Sequence, residues 1–176
     1  MWRQFKGAFT TRPILTNAVV YGTLYVGAEF SQQVLSRKVL SEKKEALDVG
    51  ALKRYTLYGT FIQGPLLTVW YKWLDAKYIG TGLKIVGKKL LLDQFLLTPQ
   101  IVWIFFTAMS IMEGKEDIFE ECRSKFVPTF QSSCLFWLPA QSVNFMLIPP
   151  TFRVVYIGLC SFGWVNILCY IKRQSF

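Results

Sequence analysis

The chain has 176 residues, enough for one compact domain, and 20 Lys and Arg against 11 Asp and Glu give it a net charge of +9. It contains no histidine, which excludes His-dependent acid–base catalysis, Ser-His-Asp and Cys-His nucleophiles, and almost every zinc or haem site. Hydrophobic residues make up 52% of the sequence, and the charged residues are concentrated in short segments between long uncharged ones. This arrangement predicts an integral membrane protein and not a soluble enzyme, with no cofactor and no metal.

Segment 1–12 is basic and contains no acidic residue. Trp2, Phe5 and Phe9 recur there at spacings that place them on one side of a helix, which predicts a short basic helix lying in the membrane interface. The basic, acid-poor composition is also typical of the start of a mitochondrial targeting segment. A plain basic anchor before the first membrane span is the alternative.

Mostly apolar segments follow that are long enough to cross a bilayer core of about 30 Å as helices of roughly 20 residues. We expect these spans at 13–36, 51–74, 88–112, 126–148 and 152–171. If the first segment does not cross fully, four spans remain. The predicted fold is therefore an all-α, polytopic membrane helix bundle with four to five spans, forming a single membrane domain over residues 1–176. The positive-inside rule gives no orientation, because the basic residues divide almost evenly between the two sides.

Glycine and proline residues predict bends and close packing within these spans. Gly64-Pro65 lies inside the second span, where glycine permits close packing and proline a bend. Pro99 should kink the third span near its start, because proline removes one backbone hydrogen bond. Pro139 should break the fourth span, and Pro149 should end it.

Two segments between the spans have a distinct character. Segment 75–87 contains three glycines and predicts a turn-rich loop. Segment 113–125 is charged, yet it places Ile118, Phe119 and Cys122 on one side of a helix. We predict an amphipathic interfacial helix there, connecting the third and fourth spans.

Most of the remaining positive charges flank the spans, as Lys88-Lys89 and Lys172-Arg173 do. Such placement is typical of side chains that reach lipid headgroups. No nucleic-acid-binding module is recognisable, so the bilayer is the expected partner and direct binding to nucleic acid is not expected. The four cysteines form neither a CxxC pair nor a tight cluster, and they predict no disulfide framework.

Several polar and charged side chains lie inside the predicted spans, where burying an ionised group costs roughly 2.5–3.5 kcal/mol. They are Glu29, Gln32, Gln33, Asp93, Gln100, Gln141, Asn144 and Arg153. One hypothesis is that these groups line a polar pathway through the membrane. The other is that they bond to one another across helices and hold the bundle closed. Both hypotheses stay open on the sequence alone.

A series of short motifs extends in a characteristic order over nearly the whole chain. They are Ser31-Gln32-Gln33, Gly64-Pro65, Trp70-Tyr71, Leu74-Asp75, Asp93-Gln94, Pro99, the segment 137–145, Pro149, Arg153 and Trp164. In this order and spacing they resemble the Mpv-17 and 22-kDa peroxisomal membrane protein family. Segment 109–119 looks especially similar to the Mpv-17-like branch of that family.

The resemblance implies a four-span protein of the mitochondrial inner membrane or the peroxisomal membrane. It also implies an association with channel activity, reactive-oxygen metabolism and mitochondrial DNA upkeep. Two positions depart from the family pattern: Thr68 stands where the family often has His, and Glu29 where it often has Asp. The first departure puts any role of that His in doubt here, whereas the second keeps the acid.

The function expected from these observations is a small-solute channel or permeability modulator of an organelle membrane. The mitochondrial inner membrane is the expected location, with the peroxisomal membrane as the alternative. The competing function is a non-conducting scaffold that binds partner proteins for organelle maintenance. Small solutes or ions, partner proteins or a second copy of the chain are the expected partners besides the bilayer.

Overall fold

The computed structural model describes residues 12–39, 46–80, 82–147 and 150–173. This part of the chain is helical and contains no β-strand, which confirms the predicted all-α class. The α-helices are α1 (Pro13–Gln33), α2 (Val49–Leu57), α3 (Gly64–Lys77), α4 (Leu83–Leu92), α5 (Thr98–Glu113), α6 (Glu120–Met146) and α7 (Pro150–Arg173). Three π-helical segments accompany them, π1 (Val34–Val39), π2 (Tyr58–Gln63) and π3 (Asp93–Leu97).

The chain divides into two compact units, unit 1 over Met1–Ile79 and unit 2 over Gly80–Phe176. Unit 1 contains α1 to α3 and unit 2 contains α4 to α7. That the whole chain acts as a single membrane domain stays a prediction.

Unit 1 is a helical hairpin in which α1 packs along α2, π2 and α3. α1 begins at Pro13, which suits a first turn because its missing N–H would have had no partner there. The Asp48 N–H bonds to Gln33 near the end of α1, whereas Thr68 bonds to Asn17 near its start. The two arms of the hairpin are therefore antiparallel.

Two glycines let these arms touch through their backbones. A Cβ atom on Gly59 would lie 2.6 Å from the Tyr21 carbonyl oxygen, and one on Gly64 would lie 2.7 Å from Ala18 Cα. The two glycines share a face because the Gly64 N–H bonds to the Gly59 carbonyl, the i→i+5 pattern of a π-helix. π2 thus brings both glycines against α1 directly before Pro65, where the sequence predicts close packing and a bend.

Unit 2 begins with one continuous helix, Leu83–Glu113, which is 31 residues long and consists of α4, π3 and α5. π3 lies directly before Pro99, where the sequence predicts a kink, and the Thr98 N–H bonds to the Asp93 carbonyl. The helix ends at Gly114, whose φ of +69° is a left-handed conformation that glycine adopts readily. α6 then packs against α5 and π3, and α7 packs against α6.

The length and composition of the helices give a first test of the predicted spans. Among the described residues, Leu83–Glu113 is the one helix both long and apolar enough to cross a membrane on these criteria. The presence of a membrane-spanning candidate agrees with the sequence, but the count of four to five spans stays a prediction.

Three sequence expectations differ from the structure. The predicted loop over 75–87 is shorter, because α3 continues to Lys77 and α4 already begins at Leu83. Segment 113–125 contains no separate interfacial helix: a turn precedes Glu120, where α6 begins.

Pro139 does not break the fourth helix either, since α6 continues through it to Met146. A proline removes only one backbone hydrogen bond, and α6 packs against both α5 and α7. Pro149 and residues 1–11 of the predicted interfacial helix lie outside the described residues.

Candidate functional site

Unit 1 encloses an acidic side chain in a hydrogen-bonded set of Glu29, Gln33 and Asp48, named here the Glu29 network. Glu29 is 1% exposed, and Gln33 is fully buried one turn later on α1. Gln33 Nε2 donates to Glu29 Oε1 at 2.8 Å and to the Asp48 carbonyl at 3.0 Å. The Asp48 N–H donates to Gln33 Oε1 at 2.7 Å. The network therefore fixes the end of α1 to the residue that precedes α2.

Asp48 also caps α2 with its side chain. Its Oδ1 accepts a hydrogen bond of 2.9 Å from the Ala51 N–H, the usual role of an aspartate at a helix N-terminus. Arg54 Nη2 lies 3.8 Å from the other carboxylate oxygen. The hydrogen bond from Ala51 outweighs partial burial, and together with the Arg54 charge it holds the pKa of Asp48 below its usual value.

One further polar pair ties the other end of the hairpin together, and another lies within π2. Asn17 Nδ2 donates to Thr68 Oγ1 at 2.9 Å, and Thr68 Oγ1 in turn donates to the Gly64 carbonyl at 2.7 Å. Tyr58 donates to Gln63 Oε1 at 3.0 Å. Thr68, at the position where the resemblance implies His, is therefore a buried residue that links α1 to α3.

The three predicted polar residues of α1 are all buried. Gln32 is 7% exposed, and Glu29 and Gln33 are enclosed as described above. The structure brings Glu29 and Gln33 together in one network. Whether this face of α1 borders a pathway stays a prediction.

The predicted polar residues of unit 2 lie in different environments. Asp93 and Gln141 are half-buried, whereas Gln100 is exposed. Asn144 and Arg153 lie on α6 and α7, but their side chains are outside the described part of the structure.

Unit 2 contains a group of charges that the sequence analysis did not assign to the site. This ion cluster joins the end of α5, the start of α6 and the end of α7. Lys172 Nζ lies 2.9 Å from Glu113 Oε2 and also pairs with Glu121 Oε2. Lys125 Nζ and Lys115 Nζ lie 3.2 Å and 2.9 Å from Glu121 Oε1. The cluster thus holds three lysines and two glutamates at one end of unit 2.

Glu121 is the centre of the ion cluster and precedes the predicted span 126–148. Its position in the first turn of α6, and that of Lys172 in the last turn of α7, both suit the helix dipoles. Burial opposes ionisation of Glu121, but hydrogen bonds from Lys172 and Lys115 outweigh burial and lower its pKa to about 2. Burial is the main reason that the pKa of Lys125 is lowered.

The ion cluster continues into α6 as a buried row of polar residues, named here the polar stripe. Its members are one turn apart on α6 and are all at most 9% exposed; they are Glu121, Lys125, Thr129 and Ser133. The far end meets the first helix of unit 2, where Gln94 Nε2 donates to Ser133 Oγ at 3.3 Å and to Cys134 Sγ at 3.2 Å.

Three hydroxyl groups of α5 and α6 lack hydrogen-bond partners among the described residues. Among the described residues, the hydroxyl oxygens of Thr107, Ser110 and Thr129 are buried and have no hydrogen-bond partner. Thr107 and Ser110 lie on α5, which packs against α6. Because native proteins satisfy the great majority of buried polar groups, these hydroxyls retain a capacity to bind something polar.

The polar stripe could have been recognised from a four-residue repeat in the sequence. Glu121, Lys125, Thr129 and Ser133 follow one another at intervals of four, the spacing of one face of a helix. The repeat begins in the predicted connector 113–125 and continues into the predicted span 126–148. Because the two segments were treated separately, the repeat was not recognised. The pairing with Lys172 had no sequence signal, because that residue lies 51 positions from Glu121.

Comparison with known proteins identifies relatives over most of the chain. The family model described as Mpv17 / PMP22 family matches residues 110–169. The chain is 34% identical to Protein sym1 of Aspergillus oryzae over 98% of both chains. It is 32% identical to the Mpv17-like protein of Xenopus laevis, over 95% of this chain and 81% of that one. It is also 32% identical to Peroxisomal membrane protein 2 of Bos taurus, over 92% and 84% respectively. No solved structure matches the chain.

Proposed function

The chain belongs to the Mpv17 / PMP22 family, and from this premise we propose that it is a small-solute channel or permeability modulator of an organelle membrane. Family membership supports a membrane protein of organelles. The proposal includes four or five membrane-spanning helices and no enzymatic activity. A link to reactive-oxygen metabolism and to mitochondrial or peroxisomal homeostasis is part of the same proposal.

The helix lengths support several spans. α6 has 27 residues and α7 has 24, and about 20 residues suffice to cross the hydrocarbon core. Large apolar side chains are exposed on these helices, among them Val127, Leu135 and Leu159. In a membrane such side chains would face lipid tails.

The observation that carries the channel proposal is the polar stripe on α6. Polar groups inside a membrane bundle are expensive unless they pair with one another across helices or face water. α6 buries Lys125, Thr129 and Ser133 on one face and exposes apolar residues such as Leu135 elsewhere. The Thr129 hydroxyl has no partner among the described residues, so pairing within the chain does not account for the whole stripe, and this supports a polar path.

The scaffold alternative has weaker support. It depends on Ile118 and Phe119 as a surface for a partner protein. Phe119 is stacked on Trp103 within unit 2, with 5.7 Å between ring centroids, so part of this surface is already used inside the chain. For this reason we prefer the channel.

Flux measurements on the purified full chain test the proposal. Proteoliposomes should release small entrapped solutes faster than protein-free liposomes of the same lipid. A scaffold would leave release unchanged. Circular dichroism of the reconstituted protein should confirm helical structure, so that unchanged release from folded protein would count directly against a channel.

We propose the mitochondrial inner membrane as the location, with the peroxisomal membrane as the alternative. The basic, acid-free segment 1–12 supports the first location. The name of the relative Peroxisomal membrane protein 2 supports the second. Fractionation of cells that express the full chain with a C-terminal tag would separate them, because mitochondrial and peroxisomal membranes sediment with different marker proteins.

A further inference from the structure

We propose that the first part of the long helix of unit 2 binds one anionic phospholipid, with its phosphate at Lys84 and Lys88 and its acyl chains along Leu91 and Phe95. This inference goes beyond the proposed function and does not depend on channel activity. It rests on the membrane-spanning role proposed above for the helix Leu83–Glu113.

The first step concerns the length of this helix. Leu83–Glu113 has 31 residues, or about 46 Å at 1.5 Å per residue, whereas the hydrocarbon core is about 30 Å thick. About ten residues therefore extend beyond the hydrocarbon. Segment 94–112 contains no charged residue, so the hydrocarbon is best filled by this segment and the excess length lies mostly at the start of the helix. This places α4 at the level of the lipid headgroups.

The second step concerns the surroundings of α4. None of its residues is buried by the part of the chain that the structure describes. Lys84 and Lys88 are exposed, and neither forms an ion pair with a described residue. Gly87 lies between them and Leu91 along the helix, and a Cβ atom there would meet no other atom within 4 Å. This side of α4 is therefore open to a ligand from the membrane.

The third step concerns the order of the groups along one side of the helix. The proposed site consists of residues at spacings of four, three and four, the repeat of one helix face; they are Lys84, Lys88, Leu91 and Phe95. Leu91 and Phe95 are 55% and 56% exposed. They follow Lys84 by about 10 Å and 16 Å along the axis. The face therefore changes from cationic to apolar toward the bilayer centre, as a phospholipid changes from phosphate to acyl chains.

The fourth step concerns charge. Segment 76–92 contains four lysines and no acidic residue, whereas the lysines at the other end of the same helix lie against Glu113 and Glu121. A lipid phosphate supplies the negative charge that is missing around α4, and the N-terminal end of a helix also favours an anion. A soluble anion would neutralise the lysines but would leave Leu91 and Phe95 exposed. The combination of charge and apolar surface therefore favours a lipid.

The experiment measures binding of phosphatidylglycerol, an anionic lipid, and of zwitterionic phosphatidylcholine to the purified full chain in mild detergent. Native mass spectrometry should show one phosphatidylglycerol bound, and the unfolding temperature should rise with phosphatidylglycerol more than with phosphatidylcholine. K84Q/K88Q should weaken the affinity for phosphatidylglycerol about 20-fold, because each lysine near an anionic lipid surface contributes about fivefold. K84R/K88R keeps both charges and should retain the binding.

A matched control comes from unit 1. Lys53 and Lys72 are exposed lysines of α2 and α3, so K53Q/K72Q removes the same charge away from α4. Its affinity for phosphatidylglycerol should stay close to that of the wild type. An equal loss in K53Q/K72Q and K84Q/K88Q would show that only the overall charge attracts the lipid, and the site would be wrong. Circular dichroism shows whether each variant is folded; if K84Q/K88Q does not fold, the single variants K84Q and K88Q replace it.

Two soluble anions distinguish a lipid from a free phosphate. They are inorganic phosphate and glycerophosphoglycerol, which is the headgroup of phosphatidylglycerol without its acyl chains. Neither should raise the unfolding temperature at the concentration at which phosphatidylglycerol does. If either raised it equally, α4 would hold a site for soluble anions and the assignment to a lipid would be wrong.

The outcomes separate this inference from the proposed function. If folded wild-type protein releases solutes from liposomes but binds phosphatidylglycerol no better than phosphatidylcholine, the channel stands and the lipid site is wrong. If K84Q/K88Q loses the preference for phosphatidylglycerol while folded wild-type protein releases no solute, the lipid site stands and the channel is wrong.

Discussion

Unit 1 and unit 2 both bury polar groups between helices, but they do so in different ways. In unit 1 the arms touch through Gly59 and Gly64, and the buried amide of Gln33 bonds at both its nitrogen and its oxygen. In unit 2 the helix ends are joined by the ion cluster, and buried hydroxyls such as Thr129 have no partner among the described residues. The comparison indicates that unit 1 is close-packed through its backbone, whereas unit 2 buries hydroxyl groups whose hydrogen-bonding capacity is not used among the described residues.

The largest effect is expected on removing the central charge of the ion cluster. E121Q leaves Lys115, Lys125 and Lys172 with Glu113 as the remaining carboxylate of the cluster, and breaking a buried ion pair in this way typically costs about 3–5 kcal/mol. Thermal or denaturant unfolding in mild detergent, followed by circular dichroism, measures the change.

Glu120 provides the control for this variant, because it is exposed in the same helical turn. E120Q loses a favourable interaction with the helix dipole, of about 0.3–1 kcal/mol. Equal destabilisation by E121Q and E120Q would show that the ion cluster does not hold the helices of unit 2 together.

Acid should remove the contribution of Glu121 without a mutation. The native pKa of about 2 lies below the ordinary value of 4.5, so the stabilisation is complete above pH 4.5 and is lost as the pH falls through about 2. The difference in unfolding temperature between wild type and E121Q should therefore narrow between pH 4.5 and pH 2. Asp48 and Asp117, whose pKa values are also lowered, are present in both proteins, so their effect cancels. If the difference in unfolding temperature stayed constant over this pH range, the lowered pKa of Glu121 would be contradicted.

The ion cluster also shows where sequence reasoning reached its limit. The apolar segments predicted the all-α class correctly, because hydrophobic patterning is a local property of the sequence. The charges before residue 126 were assigned to a separate connector, because segment 113–125 is charged yet places apolar residues on one side of a helix. The cost of burying Glu121 is offset by Lys172, and that contact forms only when α7 returns along α6. A long-range pairing of this kind leaves no trace in a single sequence.

The polar residues of the candidate site were predicted only in part from the sequence. Glu29 and Gln33 were found because a charged and an amide side chain one turn apart in an apolar helix are conspicuous. Thr129 and Ser133 were missed, because Thr and Ser are common in membrane helices, where they usually bond to their own backbone. Only their burial, and the lack of a partner for Thr129, distinguishes them.

In unit 1 the close approach of the arms should be sensitive to a single methyl group. G59A places a Cβ 2.6 Å from the Tyr21 carbonyl oxygen, and because this neighbour is backbone it cannot rotate away. We expect a loss of about 2–3 kcal/mol, in the range for overpacking, measured by the same unfolding experiment. A neutral or stabilising result would mean that α1 and π2 are not in backbone contact.

A smaller effect is expected on removing the amide of the Glu29 network. Q33L deletes the bonds to Glu29 and Asp48 while keeping a side chain of similar length, and leaves buried groups without their partner. The expected loss is about 1–2 kcal/mol, and solute release should not change because the network lies in unit 1. A loss of solute release in folded Q33L would show that unit 1 takes part in the polar path.

The smallest effect is expected at a glycine of unit 2, and it has the opposite sign. Gly87 lies within α4, and a Cβ atom there would meet no other atom within 4 Å. G87A should stabilise the protein by up to about 1 kcal/mol, because alanine loses less backbone entropy in a helix. Gly82 is the control: it precedes α4 as its N-cap, where alanine is disfavoured, so G82A should give no gain. If G87A were as harmful as G59A, glycine would serve close packing in both units, and the contrast between them would not hold.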